Sequence, residues 1–352
     1  MGHSTRRAEE VTAAATQARV PGAGLIGGFV GATALVAVLA VRLSVPLTVM
    51  GLALFGAAHI AFELRYVLGR CAPAVAGRLG WLFLLVLSLV VAARLTAVPL
   101  VAFGRPAEVI MGHLVLAVGV AAWLQGRRRV LGFVLVSASA LAALLWQGWF
   151  FFVLTHAHNL VPVAFLWDWS GQLPARTRTW FRTVQLTWAF GVPLFAVAGA
   201  FDAVTTLGTP LVSWLVGDGS AIVAAAAPPG ASALVAARFS VAFAFGQTMH
   251  YLVWLVFFPL FARSATARFE ATFPRLRGWR FPVLALVLAL LVASLFVTEW
   301  SQGRLLYGSL AAYHVYLEFP LLVGLWWSRR TPGFAPLSTG AGASVSTGVL
   351  GG

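Results

Sequence analysis

Residues 130–169 read VLGFVLVSASALAALLWQGWFFFVLTHAHNLVPVAFLWDW. The run is about 40 residues long, whereas one helix needs about 20 apolar residues to cross the hydrocarbon. It is too long for one span and modest for two, and the direction of every later helix turns on which it is. Charge decides. If the chain turns back near Gly148, the arginine clusters alternate as the positive-inside pattern requires. One side then carries Arg6, Arg7 and Arg19, then Arg70 and Arg78, then Arg127 to Arg129, then Arg176, Arg178 and Arg182, then Arg263 to Arg280, then Arg329 and Arg330. The other carries only Arg42, Arg105 and Arg304. Read as one span, the stretch sets two strongly basic loops facing each other across the bilayer.

Outward from that turn, apolar runs predict spans near 21–41, 47–68, 80–102, 109–125, 130–147, 149–168, 181–201, 236–261, 281–299 and 304–327. The expected fold is all-α: a polytopic transmembrane helical bundle of about ten spans forming a single domain over 21–330. It follows a polar cytoplasmic N-terminus over 1–20 and precedes an uncharged Gly, Ser, Thr and Ala tail over 331–352, expected to be disordered. With 60% hydrophobic and 10% charged residues, and a mean hydropathy of +0.90, a water-soluble domain is excluded. The 24 basic residues are all Arg, which suggests a GC-rich bacterial genome. The net charge of +14 sits in short clusters between apolar runs, a membrane pattern rather than a nucleic-acid one. The expected location is the inner membrane of a bacterial cell, multi-pass, with both termini cytoplasmic. The run 21–41 is too long for the apolar part of a cleaved signal and leads straight into another. Cys71 is the only thiol, which excludes a disulfide framework or a thiolate metal site within one chain. The 202–236 loop belongs outside, and its apolar patch 211–227 either lies on the interface, re-enters the bilayer or caps the bundle. Gly24, Gly27, Gly28 and Gly31 have the small-residue spacing that lets helices approach closely.

Ionisable groups in hydrocarbon are costly and usually paired or functional. Six of the seven histidines lie in predicted spans. His59 and Glu63 share one helical face in GAAHIAFELRYVLGR, and His314 and Glu318 repeat the spacing in AAYHVYLEFP. His156 and His158 fall in LTHAHNLVP and His250 in FGQTMHYLVW. Spans two, six, eight and ten run in the same direction, which puts these histidines within a slab roughly 10 Å thick near the midplane. Glu63 and Glu318 fall one turn deeper in the same slab. His113, near its outer span end, is the least central, and with Glu108 nearby it could equally be an interfacial pair.

Imidazole and carboxylate ligands without thiolate suit iron, manganese, zinc or copper, and the set is large enough for one or two ions. The candidate metal ligands are therefore His59, Glu63, His156, His158, His250, His314 and Glu318. Asn159, Gln147, Gln247, Tyr251 and Tyr313 stand beside the histidines and could fix their tautomers. A lone histidine in a span is often only an interhelical hydrogen bond, and convergence at one depth is what separates a site from that. His156 and His158 point about 200° apart on a regular helix, so both reach one site only if the helix breaks, for which Pro162 offers a cause. Asp168 and Glu299, near span ends, are expected to be solvated. Arg65 and Arg94 can snorkel, and Arg65 could instead neutralise Glu63. The WFFF run and the many tryptophans read as interface anchors.

At His59, His156, His158, His250 and His314 the layout resembles the Brp/Blh group of membrane carotenoid oxygenases over most of the chain. That resemblance implies single histidines on several helices holding an iron that cleaves β-carotene to retinal. The clustered histidine boxes of the membrane desaturases and hydroxylases are absent. The expected function is an integral-membrane, non-haem, metal-dependent oxidoreductase, iron being the expected metal. It would use oxygen on a lipophilic small molecule drawn from the membrane lipids, with an electron donor as partner and no nucleic acid; the catalytic residues are not assigned. Two alternatives stay open: a haem-binding redox protein held by two facing histidines, and a transporter using the His and Glu groups as a proton or ion relay. A purely structural subunit has no positive feature to quote.

Overall fold

The computed structural model describes residues 22–96, 99–207, 209–327 and 334. The expected N-terminal segment 1–20 and the tail 331–352, apart from Phe334, lie outside the described residues. Every regular element among them is helical. Ten long helical segments follow one another: α1 (Gly22–Arg42), α2 (Ser44–Val75), α3 (Gly77–Thr96), α4 (Val101–Trp123), α5 (Gly126–Leu145), α6 (Gln147–Gln172), α7 (residues 175–197), α8 (Ala233–Phe261), α9 (Arg280–Thr298) and α10 (Trp300–Trp327). Two of the joints are made by glycine. Gly77 (φ 66°) and Gly126 (φ 52°) take a left-handed conformation that costs glycine little, so α3 and α5 start within a few residues of the helices before them.

The deciding stretch is two helices, and they run in opposite directions. Only Trp146 separates α5 from α6. Gly132 lies against Val120 and Leu124, and Ser139 against His113, so α5 is antiparallel to α4. Gly112 faces Tyr316 and Gly119 faces Pro320, so α4 is parallel to α10. His158 meets His314 and Glu318, while Trp167 and Trp326 line one crease further on, so α6 is also parallel to α10. The chain therefore reverses at Trp146. The same comparison aligns α2 and α8: Gln247 reaches Thr48, Tyr251 lies against His59, and Phe258 stacks on Tyr66. Gly56 against Tyr307 and His59 against His314 align α2 with α10.

Eight helices, α1 to α6, α8 and α9, are long and apolar enough to cross a membrane, and the chain is a membrane protein of the helical-bundle type. Of the ten expected spans, α7 and α10 fall short of that length-and-composition measure, yet α7 must return the chain across the bundle because α6 and α8 run in the same direction. Helices form at the other two places, but α7 opens with Arg176, Arg178 and Arg182, and α10 carries Gln302, Arg304, His314 and Glu318. The polar positions of α10 are met by protein, since it packs on α3, α4 and α9. The outward residues suit lipid: Leu35, Val38, Trp81, Phe103, Leu135 and Leu290 are all exposed, a surface no soluble monomer would keep. Helix α5 is the most peripheral, burying only Val136 and Ala143.

Two expectations about the edges change. Among the described residues Gly24, Gly27, Gly28 and Gly31 meet nothing within 4 Å of where a side chain would begin, so the stripe is not a packed seam between described helices. The apolar patch of the 202–236 loop forms two short helices, Ser213–Val216 and Ser220–Ala226. Val212 and Ile222 bury against Val45 and Val49, so the patch caps the start of α2. At the same end Arg238 donates to Asp202, and those hydrogen bonds hold the Asp202 carboxyl below its ordinary value.

Candidate metal centre

Four parallel helices each deliver one histidine to a single point. His59 comes from α2, His158 from α6, His250 from α8 and His314 from α10, and one ring nitrogen of each lies within 4.8 Å of the others. The Nε2 atoms of His59 and His314 are 3.4 Å apart, and those of His314 and His158 are 3.3 Å apart. Nitrogens bound about 2.0–2.1 Å from one tetrahedral ion sit about 3.4 Å from each other, so the spacing matches a shared ion. The His250 ring lies 4.5 Å from that of His158 and 5.1 Å from that of His59.

The imidazoles are oriented from behind. His158 Nδ1 donates to Glu318 Oε2 at 2.6 Å, which leaves its Nε2 lone pair aimed at the cluster. A carboxylate, a histidine and an inward nitrogen in line is how metal-ligating imidazoles are fixed. His59 Nδ1 donates to the Phe55 carbonyl at 3.3 Å with the same consequence. The Tyr251 ring lies 4.3 Å from that of His59, tilted by 35°, and the Tyr251 hydroxyl accepts from Gln247 Nε2 at 2.9 Å. Gln247 and Tyr251 press on Gly51, which opens a five-residue π-helical segment, Gly51–Phe55, one turn before His59. A second such segment, Val253–Phe257, follows His250. Such insertions rotate the residues that follow and recur at functional sites.

Glu63 approaches His314 Nε2 at 3.9 Å, and the arginine ion pairs of the described residues all go elsewhere. Arg65 binds Glu270 rather than Glu63, Arg70 binds Asp168 and Arg94 binds Glu108. Both nitrogens of His250, Nδ1 of His314, Oε2 of Glu63 and Oε1 of Glu318 are buried without a hydrogen-bond partner. Each such group costs about 1–3 kcal/mol when nothing satisfies it. Five together, two of them on carboxylates, are the donor chemistry of a cation site. The described residues contain a second overlapping ligand group as well, Glu63, His250 and Glu318.

The remaining predicted residues fall outside this point. His156 lies on the other side of α6, as its 200° offset from His158 requires, because the helix continues unbroken through Pro162. Its Nε2 meets the Ala226 carbonyl at 2.9 Å, and its ring sits among Phe152, Phe239 and Phe243. Tyr313 points to Ser88 on α3, 2.9 Å away. Asn159 is buried against Gly246. His113 bonds the Val109 carbonyl and Ser139. Asp168 is not solvated but held by two bonds from Arg70. Arg94 does not snorkel either: it reaches Glu108 and the Gly308 carbonyl, and Tyr316 donates to the same Glu108 oxygen at 3.0 Å. That triad was missed. Its only sequence signal was an arginine and a glutamate on consecutive helices. Compared with family models, curated proteins and solved structures, the chain matches none.

Proposed function

We propose that this chain is a non-haem metal oxidoreductase of the bacterial inner membrane, both termini cytoplasmic, in which iron and oxygen act on a lipophilic molecule. The observation that carries the reading is the convergence of four histidines with two buried carboxylates that have no arginine partner. His59, His158, His250 and His314 would hold the ion. Bound there, iron supplies the redox chemistry and activates oxygen. The chain's part is to fix the imidazole tautomers through Glu318 and Phe55 and to keep water out: His59, His250, His314, Glu63 and Glu318 are all at most 1% exposed. His158 differs, its side chain being 13% exposed, which marks the α6 flank as the way in for a co-ligand or substrate.

A lipophilic substrate follows from the setting, since a molecule reaching this depth travels through apolar helix faces. The resemblance to the membrane carotenoid oxygenases supports a polyene among the candidates, with an electron donor where the chemistry consumes reducing equivalents. Haem is disfavoured by the packing: imidazoles already 4.5–5.1 Å apart, ring to ring, leave no slot for a macrocycle. The test is elemental analysis and an optical spectrum of the full chain purified in detergent, beside His314→Ala. Stoichiometric iron without a Soret band, lost in the variant, is expected. Protein free of any transition metal after gentle purification sinks the reading. Incubation with β-carotene and other polyenes under oxygen, followed by mass spectrometry for cleaved or oxygenated products, tests the oxygenase step.

A further inference from the structure

The histidine layer does not use up the site. The His-x-x-x-Glu spacing on α2 and α10 sets Glu63 and Glu318 one turn, about 6 Å, further along two parallel helices than His59 and His314. The result is a nitrogen-rich layer and a carboxylate layer stacked along the bundle axis. Glu63, Glu318 and His250 each offer a ligand atom within 4.8 Å of the others. All three are at most 1% exposed.

The partners of these atoms separate the two layers. Glu318 spends Oε2 on His158, while its Oε1 is buried and unpartnered. Glu63 Oε2 makes no hydrogen bond either and stands 3.9 Å from His314 Nε2. His250 has both nitrogens unpartnered, so it can give one to the histidine layer and keep the other edge of its ring for the carboxylates. A single ion among the four histidine nitrogens leaves this second set unsatisfied in a place that the ion pairs of Arg65, Arg70 and Arg94 do not reach.

We infer that the centre is dinuclear, with a second divalent cation held by Glu63, Glu318 and a nitrogen of His250. This rests on the metal-centre reading above and adds a site to it. Two carboxylate oxygens and one imidazole form a mixed shell that suits Mn2+ or Fe2+ rather than a thiophilic ion. Sharing the His250 ring between two ions requires its N–H proton to leave as the second cation binds, and holds the ions further apart than the about 3.5–4 Å of directly bridged pairs.

The experiment uses the full chain in detergent, stripped with a chelator, reloaded with Mn2+ alone and desalted. Bound metal is read by mass spectrometry and by electron paramagnetic resonance. The expected result is about two equivalents per chain with an exchange-coupled multiline spectrum. Glu63→Gln and Glu318→Gln should each fall to about one equivalent and show an uncoupled signal. The amide oxygen in Glu318→Gln can still accept from His158, so the histidine layer keeps its orientation. One equivalent in the unaltered chain overturns the second site and leaves the metal centre standing. None overturns both. Two equivalents that survive both substitutions overturn the assignment of these residues. The unaltered chain gives its own answer, so a variant that fails to fold does not protect the inference.

Discussion

His156 and His158 are two residues apart, and one turn of helix geometry gives them different fates. His158 sends Nε2 to the cluster and anchors Nδ1 on Glu318. His156 bonds a loop carbonyl among three phenylalanines. Replacing His158 with Ala should abolish stoichiometric metal, whereas His156→Ala should keep it and cost only about 0.5–1.5 kcal/mol for one lost hydrogen bond. Metal content and thermal unfolding of both variants check this, and equal metal loss in the two would refute the placement. Glu318 would act on a bound ion partly through His158. Partners of this kind set ligand orientation, and losing one typically costs about 10–100-fold in metal affinity. Glu318→Ala should weaken binding by that order in competition with a chromophoric chelator, with Glu318→Gln retaining more. The sequence carried much of this scale. Spacing alone put His59 with Glu63 and His314 with Glu318 on shared faces, and the offset of 156 from 158 forced a choice between them. It could not say that Arg65 would prefer Glu270 to Glu63, because that partner lies on another helix and i, i+2 neighbours do not face each other.

Helices α2 and α8 owe their meeting to their irregular turns and to small residues at close crossings. Gly69 is pressed against the Ala265 backbone carbonyl, so α2 and the helix Arg263–Thr272 touch where no Cβ fits. Gly69→Ala should therefore destabilise by about 1–3 kcal/mol through overpacking against backbone that cannot swing away. Gly27→Ala is the control: nothing lies within 4 Å, and the substitution should be neutral or gain up to about 1 kcal/mol from helix propensity. Melting temperatures in one detergent check the pair, and a larger loss at Gly27 would contradict the packing described. Glycine spacing pointed to the wrong helix here. A regular Gly pattern on α1 is visible in a string, but whether another backbone approaches it depends on which faces the bundle turns inward. The reversal at Trp146 was legible from arginine alternation, displaced by two residues from Gly148. The π-helical segments at Gly51–Phe55 and Val253–Phe257 were not, since an extra residue in a turn leaves apolar composition unchanged.

Across the molecule, the candidate centre ties together residues 59, 158, 250 and 314, which span most of the described chain. Hydropathy made the bundle plain but was a weaker guide to α7 and α10, which fall below the apolar measure of the other eight, and α10 carries candidate ligands because its polar face is turned to protein. A cross-link between α2, α6, α8 and α10 that exists only in the folded bundle makes metal binding a stability term. Metal that binds the folded state alone adds about 2.7 kcal/mol at a free concentration 100-fold above Kd. Protons oppose it, because the ligating nitrogens and carboxylates must be free of protons to hold the ion, so binding releases protons. Added Mn2+ or Fe2+ should thus raise the unfolding temperature of the stripped protein by several degrees near pH 7.5. The rise should shrink steadily as pH falls toward 5, where ligand protonation competes with the ion. His314→Ala should show no rise at either pH while unfolding as a single transition. Calorimetry or intrinsic tryptophan fluorescence with and without metal measures the difference. A metal-dependent shift that is equally large at both pH values, or that persists in His314→Ala, would mean that the ion binds somewhere other than among these imidazoles.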